Sequence, residues 1–340
     1  MTENNKQQKP LDSTDTAIAY SQCYAQPFDT VIHSDFLNNN LPDKCANLII
    51  ADPPYFEVKG AFDFVWNSFE DYLKDVEKWA IECKRILADN GTLFWYGHAK
   101  RIAYAQIIFD KHFNLINNLI WNKGSFMGLE ESEGLRSFAP CTERILMYEH
   151  EKQAEFICNN IRGYLVDEKA KSKLTLTDLN EILTGKRKSD LIAKRYFGTS
   201  QWELPTKEMY LKLQTTGFFR KEFEELRKEF EELRKEFEEL RRPFNNRFNL
   251  QEVLNFSNEA VKTGAKYDHE TVKPESLTRA LILTCSCKDD LVVVPFAGSG
   301  TEVAMSIKEG RKAIGFDIEK KYVDMSNKRI KTFKDAPSLF

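Results

Sequence analysis

The fold is decided by residues 290–301, which read DLVVVPFAGSGT. The apolar run before Pro295 predicts a buried strand, and the glycines after it predict a sharp turn into a helix that extends to Glu309-Gly310. Residues 312–316 then predict a second strand, which ends at Asp317. Strand, helix and strand in this order are typical of a doubly wound α/β sheet.

The glycine turn and Asp317 together suit a ligand that contains a nucleoside. Gly298 and Gly300 allow a ligand to approach the backbone closely, and an acid that closes the next strand is placed to bind two ribose hydroxyls. Short glycine turns also join strands to helices where no ligand binds, so this segment is not decisive by itself. Because no Gly-Lys-Ser or Gly-Lys-Thr follows, the sequence argues against a nucleoside triphosphatase.

The first part of the chain has the same alternation of strands and helices. The predicted strands are residues 30–35, 46–52, 92–96, 115–121 and 144–148. The second of these is apolar on both faces, as expected for a strand inside a parallel sheet. Apolar residues at helical spacing predict a helix between about residues 68 and 87, which Asp89-Asn90-Gly91 would end.

Asp52-Pro53-Pro54-Tyr55 follows the second strand directly. Two prolines after a buried strand make a rigid turn at the carboxyl edge of the sheet, where open α/β proteins bind their ligands. A plain loop with a capping Asp and a surface Tyr is the simpler interpretation. A chemical interpretation is that the carboxylate and a backbone carbonyl accept the two N–H bonds of an amino group on a nucleic-acid base. This localises the nitrogen lone pair for attack on a methyl sulfonium, while the aromatic ring stacks on the base outside the duplex.

The middle of the chain changes in character after about residue 151. Residues 169–195 are rich in Lys and Arg. The heptad KEFEELR then occurs in tandem from Lys221, Lys228 and Lys235, and its Phe and Leu side chains form an apolar seam that Pro243 ends. A helix over residues 221–241 would be about 32 Å long. Because each copy is slightly acidic, it predicts a strut or an oligomer contact, and we hypothesise that the repeats are a spacer of adjustable length.

Bulk composition gives no sign of nucleic-acid binding, since the net charge is −3 and the pI is near 6.1. Phosphates respond to a local patch, however, so DNA is not excluded. The seven cysteines are scattered without zinc spacing, which fits a reducing compartment. The polar N-terminus lacks the apolar run of a signal peptide, and no stretch is long enough to span a membrane, so we expect a cytoplasmic protein.

The order of these segments resembles the β subgroup of DNA amino-methyltransferases, which methylate adenine N6 or cytosine N4 with S-adenosylmethionine. In that subgroup Asp-Pro-Pro-Tyr comes first, the target-recognition region follows, and Phe-x-Gly-Ser-Gly-Thr comes last. Residues 33–36 (HSDF), 269–274 (HETVKP) and 315–317 (GFD) resemble further motifs of the subgroup. The resemblance covers roughly residues 28–150 and 265–333. Glu270 departs from the usual proline, and Asp317 replaces the commoner glutamate.

The resemblance implies a role for each matching residue. In the catalytic segment Asp52-Pro53-Pro54-Tyr55, Asp52 and the carbonyl of Pro53 would accept the amino hydrogens, and Tyr55 would stack on the flipped base. The implied cofactor residues are Phe296, Gly298, Ser299, Gly300 and Thr301 on the methionine side, Asp317 at the ribose, Asp35 at the adenine end and Lys273 at the carboxylate end. The basic insert occupies the recognition position, and its candidate phosphate contacts are Arg187, Lys188, Lys194 and Arg195. No metal is expected.

The predicted fold is therefore a Rossmann-like α/β methyltransferase sheet in circular order, with a helical target-recognition insert. The predicted segments are a polar N-terminal segment (1–26), a catalytic half (27–150), the recognition insert (151–220), the tandem heptad helix (221–242) and a cofactor-binding half (243–340). Double-stranded DNA is the expected partner. A second copy of the chain and a cognate restriction endonuclease are partners that the sequence leaves open.

The expected function is methylation of adenine N6 at a specific site in double-stranded DNA, by base flipping. Cytosine N4 is the alternative target within the same fold, although its enzymes more often begin the catalytic motif with Ser. RNA and protein amides are further acceptors to consider. A DNA-binding specificity module without catalysis is the alternative from another class, and the complete set of motif residues argues against it.

Overall fold

The computed structural model describes residues 27–58, 63, 65–124, 136, 138, 140–150, 155–187, 189–198, 203–240, 242–257 and 272–334. Side chains are not described for residues 155–161, 233–240, 333 and 334. The predicted polar segment 1–26, the candidate Lys188 and residues 269–271 therefore lie outside the described part of the chain. The chain divides into two compact units, one formed within residues 1–151 and 242–340 and the other within 152–241.

An eight-stranded sheet is the framework of the first unit. Its strands are β1 Thr30–His33, β2 Ala46–Ala51, β3 Leu87–Gly97, β4 Asn114–Asn122, β5 Thr142–Glu149, β6 Val253–Asn255, β7 Leu291–Val294 and β8 Lys312–Asp317. Their order across the sheet is β1-β8-β7-β2-β3-β5-β4-β6. The late strands β7 and β8 thus lie between the early strands β1 and β2, so both ends of the chain build one sheet, as predicted for a Rossmann-like methyltransferase.

The described residues form ten α-helices. They are α1 Phe69–Ile86, α2 Ile102–Phe109, α3 Glu155–Ser172, α4 Leu176–Thr184, α5 Leu191–Phe197, α6 Lys207–Gln214, α7 Phe223–Leu240, α8 Glu275–Cys285, α9 Thr301–Lys308 and α10 Lys320–Lys334. A short 3₁₀ turn, Phe36–Asn38, follows β1. None of the described helices is long and apolar enough to cross a membrane.

Helices cover both faces of the sheet, which explains why its inner strands are mostly apolar. On one face Ile49 and Val293 pack with Trp79 of α1 and Phe109 of α2. On the other face the alternate strand residues pack against α8, α9 and α10. Leu48, Ile49, Val292 and Val293 have no exposed surface. Side chains alternate between the faces of a strand, so consecutive residues of a strand that is buried on both sides are apolar.

The connection between α1 and β3 differs from the prediction. Asp89-Asn90-Gly91 does not end the helix, because α1 stops at Ile86 and β3 begins at Leu87. The register shifts within β3, where Ala46 faces Leu87 but Leu48 faces Thr92, so the polar residues form an irregularity inside the strand. A side chain at Gly91 would approach the Leu87 side chain to 2.6 Å, so the irregularity requires a glycine. Leu87 is fully buried, and burial of this side chain accounts for the early start of the strand.

The second unit is helical and has its own core. Leu165, Leu179, Tyr210 and Phe219 are among its buried side chains. Helix α4 begins with a capping box between Thr175 and Asp178 and ends at Gly185, which has a left-handed backbone. Helices α3 to α7 therefore bury enough apolar surface to form a compact body by themselves.

The tandem heptads form α7, in agreement with the predicted helix. Phe223 and Leu226 of the first copy are buried in the core of the second unit, and Phe230 of the second copy packs against that core. This corrects the expectation that the seam is a free strut or an oligomer contact, at least for the first copy. The seam residues from Leu233 onwards lie outside the described side chains.

Candidate functional site

The predicted functional residues meet at one edge of the sheet. Strands β2, β7 and β8 are parallel neighbours, so Asp52, the glycine turn and Asp317 lie at adjacent carboxyl ends. Strand β1 pairs with β8, which brings Asp35 to the same edge. Ligands of open α/β sheets bind beyond these carboxyl ends. The strand order therefore brings together motifs that are far apart in the sequence.

Asp52 follows β2, and each of its two carboxylate oxygens contacts another side chain. Its Oδ1 accepts a hydrogen bond from the Tyr55 hydroxyl at 2.5 Å, and its Oδ2 lies 2.8 Å from Lys273 Nζ. The backbone N–H of Tyr55 donates to the carboxylate of Asp63, which holds the turn made by Pro53 and Pro54. The sequence predicted that Asp52 and Tyr55 act together, and the structure brings them into contact.

Burial dominates the ionisation of this pair. It raises the pKa of Asp52, while Lys273 and the Tyr55 hydroxyl act in the opposite direction. Burial and the neighbouring Asp52 charge also raise the pKa of Tyr55 well above its ordinary value. Tyr55 therefore keeps its proton and remains a hydrogen-bond donor to the carboxylate.

Lys273 stands next to Asp52, although the resemblance implied a place at the carboxylate end of a cofactor. Its Nζ lies 2.8 Å from Asp52 Oδ2 and 3.1 Å from Glu143 Oε2. The ammonium also faces the ring of Tyr96, 5.0 Å from the centroid. Only 4% of the side chain is exposed. The structure thus assigns Lys273 to the two carboxylates, a contact that the sequence did not indicate.

Glu143 of β5 links Lys273 to a further ammonium group. It binds Lys273 and also Lys123, which follows β4. Burial would raise the pKa of Glu143, but the two ammonium groups outweigh it and lower that pKa. Sequence reasoning missed Glu143 because a single acid in a strand carries no recognisable spacing.

The glycine turn is fixed to the end of β8. The Gly298 backbone N–H donates to Asp317 Oδ2 at 2.8 Å, and the Glu319 N–H donates to Asp317 Oδ1 at 2.8 Å. Gly300 has a φ of 70°, and an added Cβ would lie 2.7 Å from the Cβ of Ser326 in α10. Position 300 therefore requires glycine for both conformation and space. A backbone without side chains beside a carboxylate fits the ribose part of a nucleoside cofactor.

The side chains of Ser299 and Thr301 point into the fold, although the resemblance implied that they line a cofactor. Their hydroxyls lie 3.0 Å apart, and both side chains are buried. Arg329 of α10 donates to the Ser299 carbonyl at 3.2 Å and to Thr301 Oγ1 at 2.7 Å. These two residues therefore hold the turn in place.

Phe296 and Asp35 flank the turn from the side of β1. The Phe296 ring contacts Trp79, with centroids 5.0 Å apart, and remains partly exposed. Asp35 is exposed, and its carboxylate accepts the N–H of Leu37 at 2.9 Å, which caps the 3₁₀ turn. Both side chains remain accessible at the sheet edge where they were predicted.

Two further polar groups near Asp52 were not predicted. Glu302, in the first turn of α9, is 5% exposed, and its Oε1 has no hydrogen-bond partner among the described residues. Burial, followed by the Asp52 charge, raises the pKa of Glu302 to about 7. The hydroxyl of Tyr96 is likewise buried without a partner in the described part of the chain. The position of Glu302 directly after the glycine motif was the signal that could have found it.

The basic candidates of the second unit are paired with acids. Arg187 binds Asp178 at 3.1 Å and Glu181 at 3.2 Å. Lys194 binds Asp190 at 2.9 Å and Arg195 binds Glu203 at 3.5 Å. These cations are 56–67% exposed, and exposed ion pairs contribute little, about 0–1 kcal/mol each. The side chains therefore remain able to exchange a carboxylate for another anion.

Comparison with known proteins identifies the family. The sequence pattern of DNA methylases matches residues 46–328, which include both the catalytic segment and the glycine turn. The chain belongs to the DNA methylase family. It is thus a DNA methyltransferase of the group that modifies amino groups, and S-adenosylmethionine is the methyl donor of this family. The resemblance noted in the sequence is confirmed at this level.

Several curated relatives match most of the chain. Type II methyltransferase M.HinfI of Haemophilus influenzae is 26% identical over 329 residues, which cover 91% of this chain and 70% of that protein. DNA adenine methyltransferase YhdJ of Escherichia coli (strain K12) is 25% identical over 308 residues, covering 88% and 82%. Type II methyltransferase M2.DpnII of Streptococcus pneumoniae is 25% identical over 319 residues, covering 88% of each chain. The described residues of this DNA methylase contain no group of three or more His, Cys, Asp or Glu side chains that could hold a metal ion.

Proposed function

We propose that this DNA methylase transfers a methyl group from S-adenosylmethionine to the N6 amino group of adenine in double-stranded DNA, with the target base flipped out of the duplex. The observation that carries the proposal is the position of Asp52. Its carboxylate contacts Tyr55, and it lies at the same sheet edge as the glycine turn and Asp317.

The chemistry of the catalytic segment supports an amino group as the acceptor. The exocyclic nitrogen of adenine is a weak nucleophile because its lone pair is delocalised into the ring. Asp52 would accept one amino hydrogen and the Pro53 carbonyl the other, which localises the lone pair on nitrogen. In the structure the Tyr55 hydroxyl donates a hydrogen bond to Asp52 Oδ1. The entering amino group would take over this position, which frees the Tyr55 ring to stack on the base.

Asp52 would also receive the proton that the amino nitrogen loses. Burial raises its pKa, which strengthens the carboxylate as a proton acceptor compared with an exposed one. Bound S-adenosylmethionine supplies an electrophilic methyl group on sulfur. The glycine turn at Gly298 and Gly300 would hold the cofactor together with Asp317. Phe296 and Asp35 would lie beside the cofactor.

Adenine is favoured over cytosine by two observations. The catalytic segment begins with Asp, and the cytosine enzymes more often begin it with Ser. A relative that covers most of the chain carries the name DNA adenine methyltransferase. Methylation of cytosine N4 is the second candidate, since its acceptor is also an exocyclic amino group and it would use the same sheet edge. In either case we infer that Arg187, Lys188, Lys194 and Arg195 contact DNA phosphates.

Transfer of tritiated methyl groups to duplex DNA of mixed sequence tests the proposal. After digestion we expect the label in N6-methyladenine, and we expect Asp52→Ala to abolish it. Label in N4-methylcytosine would retain the mechanism and change the target base. Cofactor binding without any labelled DNA would direct attention to RNA or protein acceptors. Absence of S-adenosylmethionine binding in a calorimetric titration would exclude the enzymatic function and leave a DNA-binding specificity module.

A further inference from the structure

Four charged side chains of alternating sign form a continuous row that ends at the catalytic carboxylate. The row runs from Lys123 to Glu143, Lys273 and Asp52. The Lys123–Glu143 contact is the shortest, and the next two distances are 3.1 Å and 2.8 Å. Exposure of these side chains is 4–18%. Ions this deeply buried persist only when paired, so each member depends on its neighbours.

The outer half of the row is fixed by the sheet. Glu143 faces Trp121 across the antiparallel pair of β4 and β5, and the backbone N–H of Lys123 donates to the Cys141 carbonyl at 2.9 Å. Lys273 lies outside the sheet, in the described stretch 272–274 before α8, which is neither helix nor strand. Glu143 is therefore the rigid partner that determines where the Lys273 ammonium lies.

Glu143 also determines the net charge of the row. Two carboxylates and two ammonium groups sum to zero. Without Glu143 the row would carry one net positive charge beside a sulfonium cation and a nitrogen that becomes positive during methyl transfer. The ammonium would also bind Asp52 alone, and Asp52 would become a weaker acceptor for the amino hydrogen. Charges in a water-poor site act strongly on a transition state.

We propose that Glu143 is a positioning residue for methyl transfer, which shares the Lys273 ammonium between two carboxylates and so preserves Asp52 as a hydrogen-bond acceptor. The inference rests on the proposed function, because Asp52 needs this acceptor strength only if it receives an amino hydrogen. Lys273 is the group through which Glu143 acts.

The ionisation of Asp52 provides a test without cofactor. The charged and titratable groups around Asp52 are Lys273, Glu143, Tyr55, Glu302 and Tyr96. The Glu143 charge raises the pKa of Asp52, so Glu143→Gln should lower it. In ligand-free protein labelled with [4-¹³C]aspartate, and assigned with Asp52→Asn, the carboxyl resonance should titrate at lower pH in Glu143→Gln. Glu143→Asp keeps the charge and should restore the wild-type titration.

Kinetics provide the second readout. In Glu143→Gln we expect kcat for DNA methylation to fall by about tenfold or more, with KM for S-adenosylmethionine changed by less than about threefold. Because Asp52 must be ionised to accept a proton, the acidic limb of the kcat–pH profile should move to lower pH. Glu149→Gln is the matched control: it lies on the same strand, its carboxylate bonds Asn114 and lies near Arg242, and it is 17% exposed. This control should retain wild-type kcat.

The two proposals fail in different ways. If wild-type protein methylates DNA, and Glu143→Gln retains both its kcat and the Asp52 titration, only the positioning role is overturned. A loss of activity in Glu143→Gln without movement of either pH curve would mean a merely structural role and would overturn it too. If wild-type protein transfers no methyl group to DNA, the proposed function is wrong and the positioning role falls with it.

Discussion

The carboxylate of Asp317 accepts a hydrogen bond from the backbone N–H of Gly298 at 2.8 Å, which joins the end of β8 to the glycine turn after β7. The second oxygen of Asp317 accepts the N–H of Glu319. The carboxylate is therefore held by two main-chain groups at the sheet edge. A group oriented in this way loses little freedom when a ligand with two adjacent hydroxyls binds to it.

Replacement of this carboxylate should weaken cofactor binding more than it weakens the fold. We expect Asp317→Asn to raise the Kd for S-adenosylhomocysteine by about tenfold or more, since hydrogen bonds to a charged group contribute about 1.5–3 kcal/mol. Calorimetric titration measures this change. Asp324→Asn, which alters an exposed carboxylate paired with Lys320, is the control and should retain wild-type affinity. Equal affinities in all three proteins would remove Asp317 from the cofactor site.

The glycine turn allows a comparison of two substitutions that differ in one respect. Gly300 and Gly310 both have left-handed backbones, with φ of 70° and 78°. A Cβ at Gly310 would meet only the Lys288 side chain, at 3.5 Å, whereas a Cβ at Gly300 would meet Ser326 at 2.7 Å. Gly310→Ala should therefore lose about 1–2 kcal/mol from backbone strain alone.

Gly300→Ala should lose that amount and about 1–3 kcal/mol more, because α10 must shift to admit the Cβ. Chemical denaturation gives both free energies of unfolding. If the two variants were equally stable, α10 would yield without loss, and the close approach of Ser326 would not explain the glycine.

The sequence predicted those parts of the fold that depend on local pattern. Runs such as residues 48–51 are apolar on both faces, as a covered parallel strand requires, and the acid that ends each run then falls at the ligand-binding edge. The start of β3 was missed because Asp89-Asn90-Gly91 is a strong turn signal. Burial of Leu87 and pairing with β2 outweighed that signal. Strand β6 has only three residues, too few for any periodicity to be visible.

Contacts between distant segments could not be predicted from the sequence. Lys273 and Glu143 are separated by 130 positions, and neither has neighbours that mark an ion pair. Arg329 reaches Thr301 across 28 positions, and this contact decides that the Thr301 hydroxyl faces inward. Motifs thus indicated which residues gather at the site. The direction in which each side chain points depended on partners that only the folded chain supplies.

Stability should depend on pH through Glu302. Its folded pKa is about 7, above the ordinary value of 4.5. Below pH 4.5 both states are protonated and the shift has no effect. As the pH rises from there through 7, the unfolded chain releases this proton more readily than the folded one, so folded stability falls by about 3 kcal/mol in all. Glu302→Gln removes this loss and should unfold at higher temperature than wild type at pH 8, with no gain at pH 4.5.

Differential scanning calorimetry of ligand-free protein at both pH values measures this effect. Glu319→Gln, which alters an exposed carboxylate, is the control and should show no such difference between the two conditions. A gain in Glu302→Gln of equal size at both pH values would contradict ionisation as the cause.

The salt dependence of DNA binding should show whether the ion-paired cations of the helical unit contact phosphates. If Arg187, Lys194 and Arg195 contact phosphates, their joint replacement by Gln should weaken DNA binding and reduce the slope of log K against log salt by about three. Fluorescence anisotropy with duplex DNA over a range of KCl concentrations measures the slope. The matched control replaces Lys207, Lys212 and Arg227, which are also exposed and paired with acids. Equal losses in both triple variants would indicate a general charge effect instead of contact.

The first heptad belongs to the core of the helical unit, and we expect the third heptad to set only the length of the helix. Leu226 of the first copy is fully buried, so Leu226→Ala should destabilise the helical unit by about 2–5 kcal/mol. Deletion of the third copy, residues 235–241, removes two helical turns and changes the phase of the seam by only about 20°. We therefore expect the shortened chain to remain folded, with a changed DNA affinity or oligomeric state in anisotropy and light-scattering measurements. Aggregation of the deletion variant would mean that the third copy is also part of a core and that the repeats are not a spacer.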